Sequence, residues 1–130
     1  MSTYTTDVPV RFRDIDAMGH VNNAVYATYL EQARTDYFRD VLEADLSAVA
    51  TVLASVSIQF RRPVELTDGA VTVEIDVPEL GRSSVPMTYE IRARGEVVAE
   101  AESVQVAVDD GSSRPIPDEY REAIETYHGI

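Results

Sequence analysis

Two carboxylates lie in the segment Asp14-Ile15-Asp16-Ala17-Met18-Gly19-His20-Val21-Asn22-Asn23, between a strand-like run and the longest helical run of the chain. The first turn of a helix carries unsatisfied N–H groups and roughly half a unit of positive charge. Such a place can polarise a carbonyl group and hold a developing oxyanion. A carboxylate beside it can act as nucleophile or as general base on water. The chain has no cysteine and no serine in a G-x-S-x-G setting, so a carboxylate is its best catalytic group. The same residues also fit a plainer role. Aspartates before helices often serve as caps, His20 would then be a solvated loop residue, and Asn22 and Asn23 would be the N-cap and its neighbour. His20 and His128 are too few for a histidine-based zinc site, so no metal is expected.

The surrounding pattern supplies the elements that must hold this loop. Val8, Val10 and Phe12 alternate with Pro9, Arg11 and Arg13, which predicts a half-buried strand. A helix is predicted over about Ala24 to Glu43, where Tyr26, Leu30, Ala33, Tyr37 and Val41 form one stripe, widened by Tyr29, Phe38 and Leu42. Leu46 to Ala50 reads as a connector or a short extra turn. Four strand-like runs follow, over Val52 to Phe60, Val71 to Val77, Met87 to Ala93 and Val97 to Val108, with a tight hairpin at Gly95-Glu96. In the last run the apolar phase changes between Ala101 and Val104, which predicts a β-bulge near Ser103. Pro117 opens a short second helix, about residues 117–128, with Tyr120, Ile124 and Tyr127 on one side.

Strand, long helix and four strands joined by short turns imply an α+β domain over residues 1–130, an antiparallel sheet curved around one central helix. One helix leaves sheet edges uncovered, and self-association is the expected remedy.

Composition narrows the function. The formal net charge is −12 and hydrophobic residues make up 45% of the chain, enough for a core. Such a charge repels nucleic-acid phosphates and anionic membranes, and no apolar run reaches the length of a membrane span. All 11 basic residues are arginine and none is lysine. That balance fits adaptation to molar salt, where the Debye length falls to about 3 Å, or an arginine-rich codon bias alone. No secretory leader is visible in Met1 to Asp7, so a cytoplasmic location is expected.

Arg13 to Tyr26, with its D-x-D-x-x-G-H-V-N-N core, continues through Tyr29-Leu30-Glu31-Gln32-Ala33-Arg34 and resembles the signature of the hotdog-fold acyl-CoA thioesterases. The similarity is to the branch of 4-hydroxybenzoyl-CoA thioesterase and the YbgC/FadM-like enzymes. It extends to Phe60-Arg61-Arg62-Pro63-Val64, to Gly81-Arg82-Ser83-Ser84 and to the strand order. The resemblance implies a hotdog fold and hydrolysis of an acyl-CoA thioester without a cofactor. It implies that Asp16 is the catalytic carboxylate and that the Asn23 backbone N–H holds the carbonyl oxygen. Gly19 would permit close approach of loop and substrate, while His20, Asn22 and Tyr26 would belong to the pocket. Arg61, Arg62 and Arg82 are candidates for CoA phosphates or for surface ion pairs, and Ser83 for the pantetheine amides. Asp14 would orient the loop, and Glu31 would pair with Arg34 or a neighbouring arginine. The site would lie at the interface of a homodimer, with dimers in some relatives pairing into tetramers. Two rivals remain at this point. One is a non-catalytic acyl-thioester binding protein on the same fold. The other is a hydratase or dehydratase, which needs a His–carboxylate pair, and His20 lies in a loop unlike theirs.

Overall fold

The computed structural model describes residues 2–43 and 50–130, so positions 46–49 of the expected connector lie outside the described residues. In chain order the elements are β1 (Tyr4–Pro9), α1 (Val25–Leu42), β2 (Thr51–Phe60), β3 (Ala70–Asp76), β4 (Ser84–Ala93), β5 (Glu96–Asp109), β6 (Ser112–Ser113) and α2 (Asp118–His128). The main sheet runs β1-β3-β4-β5-β2, every pairing antiparallel, and β6 pairs with the end of β5. The architecture is the expected α+β hotdog arrangement, a curled antiparallel sheet with a long helix against its inner face.

The alternation read in the sequence explains the centre of this sheet. Val71, Val73 and Ile75 of β3, and Val85, Met87, Tyr89 and Ile91 of β4, all point inward and are buried. Each such side chain contributes about 1.5–3 kcal/mol by leaving water. They meet Tyr26, Leu30, Ala33, Tyr37 and Phe38 of α1, the stripe expected from helical spacing. α2 covers the far end of α1. There the buried His128 ring bonds the Tyr37 hydroxyl at 2.8 Å through Nε2 and the Ser2 carbonyl at 2.9 Å through Nδ1.

Three expectations need correction. The first strand ends at Pro9, and Phe12 lies in a 3-10 turn, Phe12–Asp14, with its ring 83% exposed. The turn closes because the Asp14 carboxylate accepts the Arg11 N–H at 2.9 Å, which takes the chain out of the strand. β5 contains no phase slip at Ser103: Ala99, Ser103, Gln105 and Ala107 are all buried on its inward side. The polar pair faces inward because Arg34 of α1, itself buried, needs acceptors there. Arg34 donates to the Tyr89 hydroxyl at 3.2 Å, that hydroxyl bonds Ser103, and the Gln105 amide, turned so that its oxygen faces the guanidinium, accepts from Arg34 Nε at 2.9 Å. The register shifts fall instead between Leu53 and Ser55 on β2 and opposite Ile91 and Arg92 of β4, where Val98 of β5 is the extra residue. Glu31 makes no described ion pair with Arg34, whose side chain turns into the core instead.

The two sheet edges differ in character. β1 carries Asp7 and Pro9, residues that discourage pairing with another chain. β2 carries no charged residue over its whole length, although 26% of the chain is charged. α1 packs towards the β1–β3 side and leaves β2 open. Val52, Leu53, Val56 and Phe60 are therefore 40–50% exposed. On the outer face of the sheet, Glu74 stands opposite Glu90, and Glu90 opposite Glu100. With Asp76 and Glu102 they line a concavity of about 450 Å³. Like charges placed directly across strands destabilise a sheet. Arg92 and Arg61 offset part of this row, bonding Glu90 at 2.7 Å and Glu100 at 2.9 Å.

Candidate active site

The segment after β1 folds into a small closed loop. Ile15 and Val21 bridge at its base, and the Asn22 N–H donates to the Asp14 carbonyl at 2.9 Å. The Asp16 N–H donates to the His20 carbonyl at 2.8 Å, and the Val21 N–H to the Val64 carbonyl at 2.8 Å. That last bond ties the loop to the chain leaving β2. Gly19 turns the tip with φ 83°, a conformation glycine adopts without strain. A β-carbon there would meet nothing within 4 Å, so backbone conformation, and not crowding, is the local demand for glycine.

At the tip, Oδ1 of Asp16 accepts the Met18 N–H at 2.9 Å and the His20 N–H at 3.4 Å. No described hydrogen bond uses Oδ2. The carboxylate is thus oriented by its own loop with one oxygen left over. α1 begins two residues beyond Asn23, and Asn22 serves as its cap. The Asn22 Oδ1 accepts the Ala24 N–H at 2.9 Å, and the Asn22 carbonyl accepts the Val25 N–H at 2.9 Å. The Asn23 N–H has no acceptor among the described residues. This arrangement places an unclaimed amide at the positive end of an 18-residue helix.

Asp16, His20, Asn23 and Tyr26 share one open cleft of about 280 Å³ with Arg61 and Arg62. With Val21 also in the lining, Phe60, Met18 and Pro63 complete its walls. These three are absent from the expected site, although Phe60 and Pro63 flank the arginine pair within the recognised motif. Phe60 meets Tyr26 edge to face at 5.0 Å. Burial pushes the Tyr26 hydroxyl above its ordinary pKa. Arg61 bonds Glu100 at 2.9 Å and Arg62 bonds Glu96 at 3.4 Å, all at the surface. Such exposed pairs contribute about 0–1 kcal/mol each, so an incoming anion can displace them.

Asn22 is occupied by capping and does not line the cleft. Arg82 and Ser83 do not line it either. They precede β4 at Ser84, which pairs with Val106 next to the Thr51 end of β2, whereas the cleft lies at the Phe60 end. Phe60 lies level with Ile91 across Ala99 of β5, seven residues beyond Ser84, which is about 23 Å along the strand. Among the described residues no group of three or more His, Cys, Asp or Glu is placed to hold a metal ion.

Comparison with known proteins bears on the fold and family of the chain. A family model described as the thioesterase-like superfamily matches residues 10–124. The chain is 31% identical over 109 residues to the long-chain acyl-CoA thioesterase FadM of Escherichia coli (strain K12), covering 80% of this chain and 82% of that protein. It is 29% identical over 124 residues to the acyl-CoA thioester hydrolase YbgC of Escherichia coli O157:H7, covering 88% and 90%. Among solved structures, a thioesterase from Thermus thermophilus complexed with coenzyme A and Zn superposes with a TM-score of 0.88 at 37% identity, covering 97% of this chain and 94% of that one.

Proposed function

The chain belongs to the thioesterase-like superfamily, and from that premise we propose that it hydrolyses an acyl-CoA thioester to the free carboxylic acid and coenzyme A. The observation that carries this reading is the pairing of the Asp16 carboxylate, one oxygen free, with the unclaimed Asn23 N–H in a single cleft. Asp16 acts as nucleophile on the thioester carbon or as general base on the attacking water. The Asn23 N–H and the amino end of α1 hold the oxyanion. On the general-base route Asp16 takes a proton from the attacking water, the tetrahedral intermediate breaks its C–S bond, and that proton passes to the departing thiolate. On the nucleophilic route the C–S bond breaks to leave an acyl anhydride on Asp16, which water then hydrolyses to the free acid while supplying the proton that the thiolate takes. His20 and Tyr26 border the acyl group, and Arg61 and Arg62 receive phosphate oxygens of CoA. The reaction needs no redox or metal cofactor, and its CoA substrate points to a cytoplasmic enzyme.

The working unit in this reading is a homodimer joined along β2. An uncharged, half-exposed edge strand of ten residues is a pairing surface. Two copies of β2 aligned antiparallel about a two-fold axis bring the Thr51 end of one sheet beside the Phe60 end of the other. Arg82 and Ser83 of the second copy then approach the cleft that they do not reach within their own chain. Any pairing of dimers into a tetramer would use other surfaces.

A thiol-release assay over acyl-CoAs of increasing chain length tests the proposal, with turnover on at least one of them expected. An acyl-CoA that binds without release of free thiol would favour the non-catalytic rival instead.

We assign the acidic surface to function in concentrated salt. The Glu74, Glu90 and Glu100 row repels itself most strongly when unscreened. Raising KCl from low to molar concentration shortens the Debye length to about 3 Å, and the melting temperature is expected to rise. A melting temperature independent of KCl in a calorimetric series would reject this.

A further inference from the structure

One of the buried charged groups that the mechanism leaves unused sits at the base of the reacting loop. Asp14 is only 2% exposed, yet it does not enter the cleft. Its Oδ2 accepts the Arg11 N–H at 2.9 Å and the Tyr29 hydroxyl at 2.9 Å, and its Oδ1 accepts Arg11 Nη2 at 3.3 Å. Its own carbonyl receives the Asn22 N–H at 2.9 Å. Tyr29 lies in the second turn of α1 and is 1% exposed. The Asp14 side chain thus fastens the base of the loop to the body of the helix, and its backbone fastens it to the capping residue.

Resting on the thioesterase reading, we propose that Asp14 and Tyr29 are a positioning pair that sets the separation between the Asp16 carboxylate and the Asn23 N–H. The two reacting groups sit on different pieces of backbone, one at the loop tip and one at the helix start. The loop closes on itself through the Ile15–Val21 bridge and is tied on one side to Val64. Without a second tie it can still pivot relative to the helix axis. The Tyr29–Asp14 bond supplies that tie. It joins side chains 15 positions apart across the junction between loop and helix. Burial works against the Asp14 charge, but the Arg11 N–H, the Tyr29 hydroxyl and the Arg11 guanidinium outweigh it and hold the carboxyl below its ordinary value. An ionised, multiply bonded acceptor makes a strong and directional anchor. An angular error at this junction displaces the carboxylate from the oxyanion site. A misplacement of about 1 Å costs on the order of 10²-fold in rate.

The experiment is Tyr29→Phe, which keeps the ring and its packing and removes only the donor. The expected result is kcat lowered on the order of 10–10²-fold, with KM for the acyl-CoA within about threefold of the unmodified protein. A kcat within twofold of the unmodified enzyme overturns the proposal. Amide hydrogen exchange gives a readout that needs no turnover. Positions 16–23 are expected to exchange at least tenfold faster in Tyr29→Phe while β3 and β4 keep their protection. Unchanged exchange across that segment also overturns it, as does equal acceleration throughout the sheet, which would mark a loss of general stability. If Tyr29→Phe does not fold, Arg11→Gln takes its place, since it spares the backbone N–H bond and loosens the same carboxylate. The same two readouts then decide. Should the unmodified protein release no thiol from any acyl-CoA, the functional reading fails, and exchange alone judges the tether.

Discussion

Asp16→Asn is expected to lower kcat for acyl-CoA hydrolysis on the order of 10²–10⁴-fold while the folded structure survives. The substitution is nearly isosteric. The amide oxygen of the new side chain can still accept the Met18 and His20 N–H groups, so the loop keeps its shape. What disappears is the negative charge and the basic oxygen at Oδ2. Neither a nucleophilic nor a general-base route survives that loss. Circular dichroism and an acyl-CoA binding isotherm should match the unmodified protein, and only thiol release should collapse. Full turnover in this variant would show that another group does the chemistry. Asp14→Asn makes an informative companion, because an amide there cannot accept from every donor now bound to the carboxylate, and both stability and rate should suffer.

The second large effect concerns the partner. Val56 is 40% exposed at the middle of β2, pairs with Ser103 and lies on the inward side of the sheet. Placing lysine there puts a charge at the centre of the proposed interface, on a strand that has none. Val56→Lys is expected to sediment as a monomer and the unmodified protein as the proposed dimer, with the circular dichroism spectrum of the variant unchanged. Its turnover should fall on the order of 10²-fold, because in the proposed dimer each cleft would lose one wall and the Arg82 and Ser83 of the second copy. Analytical ultracentrifugation alongside the thiol assay separates the possibilities. A fully active monomer would remove the second copy from the site altogether.

The elements that are legible in the sequence share one property, a single apolar face turned to a single core. The α1 stripe and the alternation of β3 and β4 follow from that alone. The second half of β5 reads in the wrong phase because Ser103 and Gln105 look like surface residues. Only the buried guanidinium of Arg34, supplied by another element, makes them interior ones. Phe12 continues an alternation that the chain itself abandons at Arg11. In the site, Asp16 and Asn23 are placed by a local motif, since loop and helix start are contiguous in sequence. Arg82 and Ser83 cannot be placed in that way. The family resemblance suggests them for the same chemistry, while the register sets them at the opposite end of the sheet. β2 carries a signal of its own that periodicity does not weigh, ten consecutive uncharged residues in a strongly acidic chain.

That uncharged edge has a consequence for inheritance. If each reaction chamber is assembled from opposite poles of two identical polypeptides, a lesion at Asp16 and a lesion at Ser83 need not be additive. Produced together in one cell, the two disabled gene products would form mixed pairs in which one chamber collects both defects and the other has none. Such a population would regain part of what each allele lacks on its own.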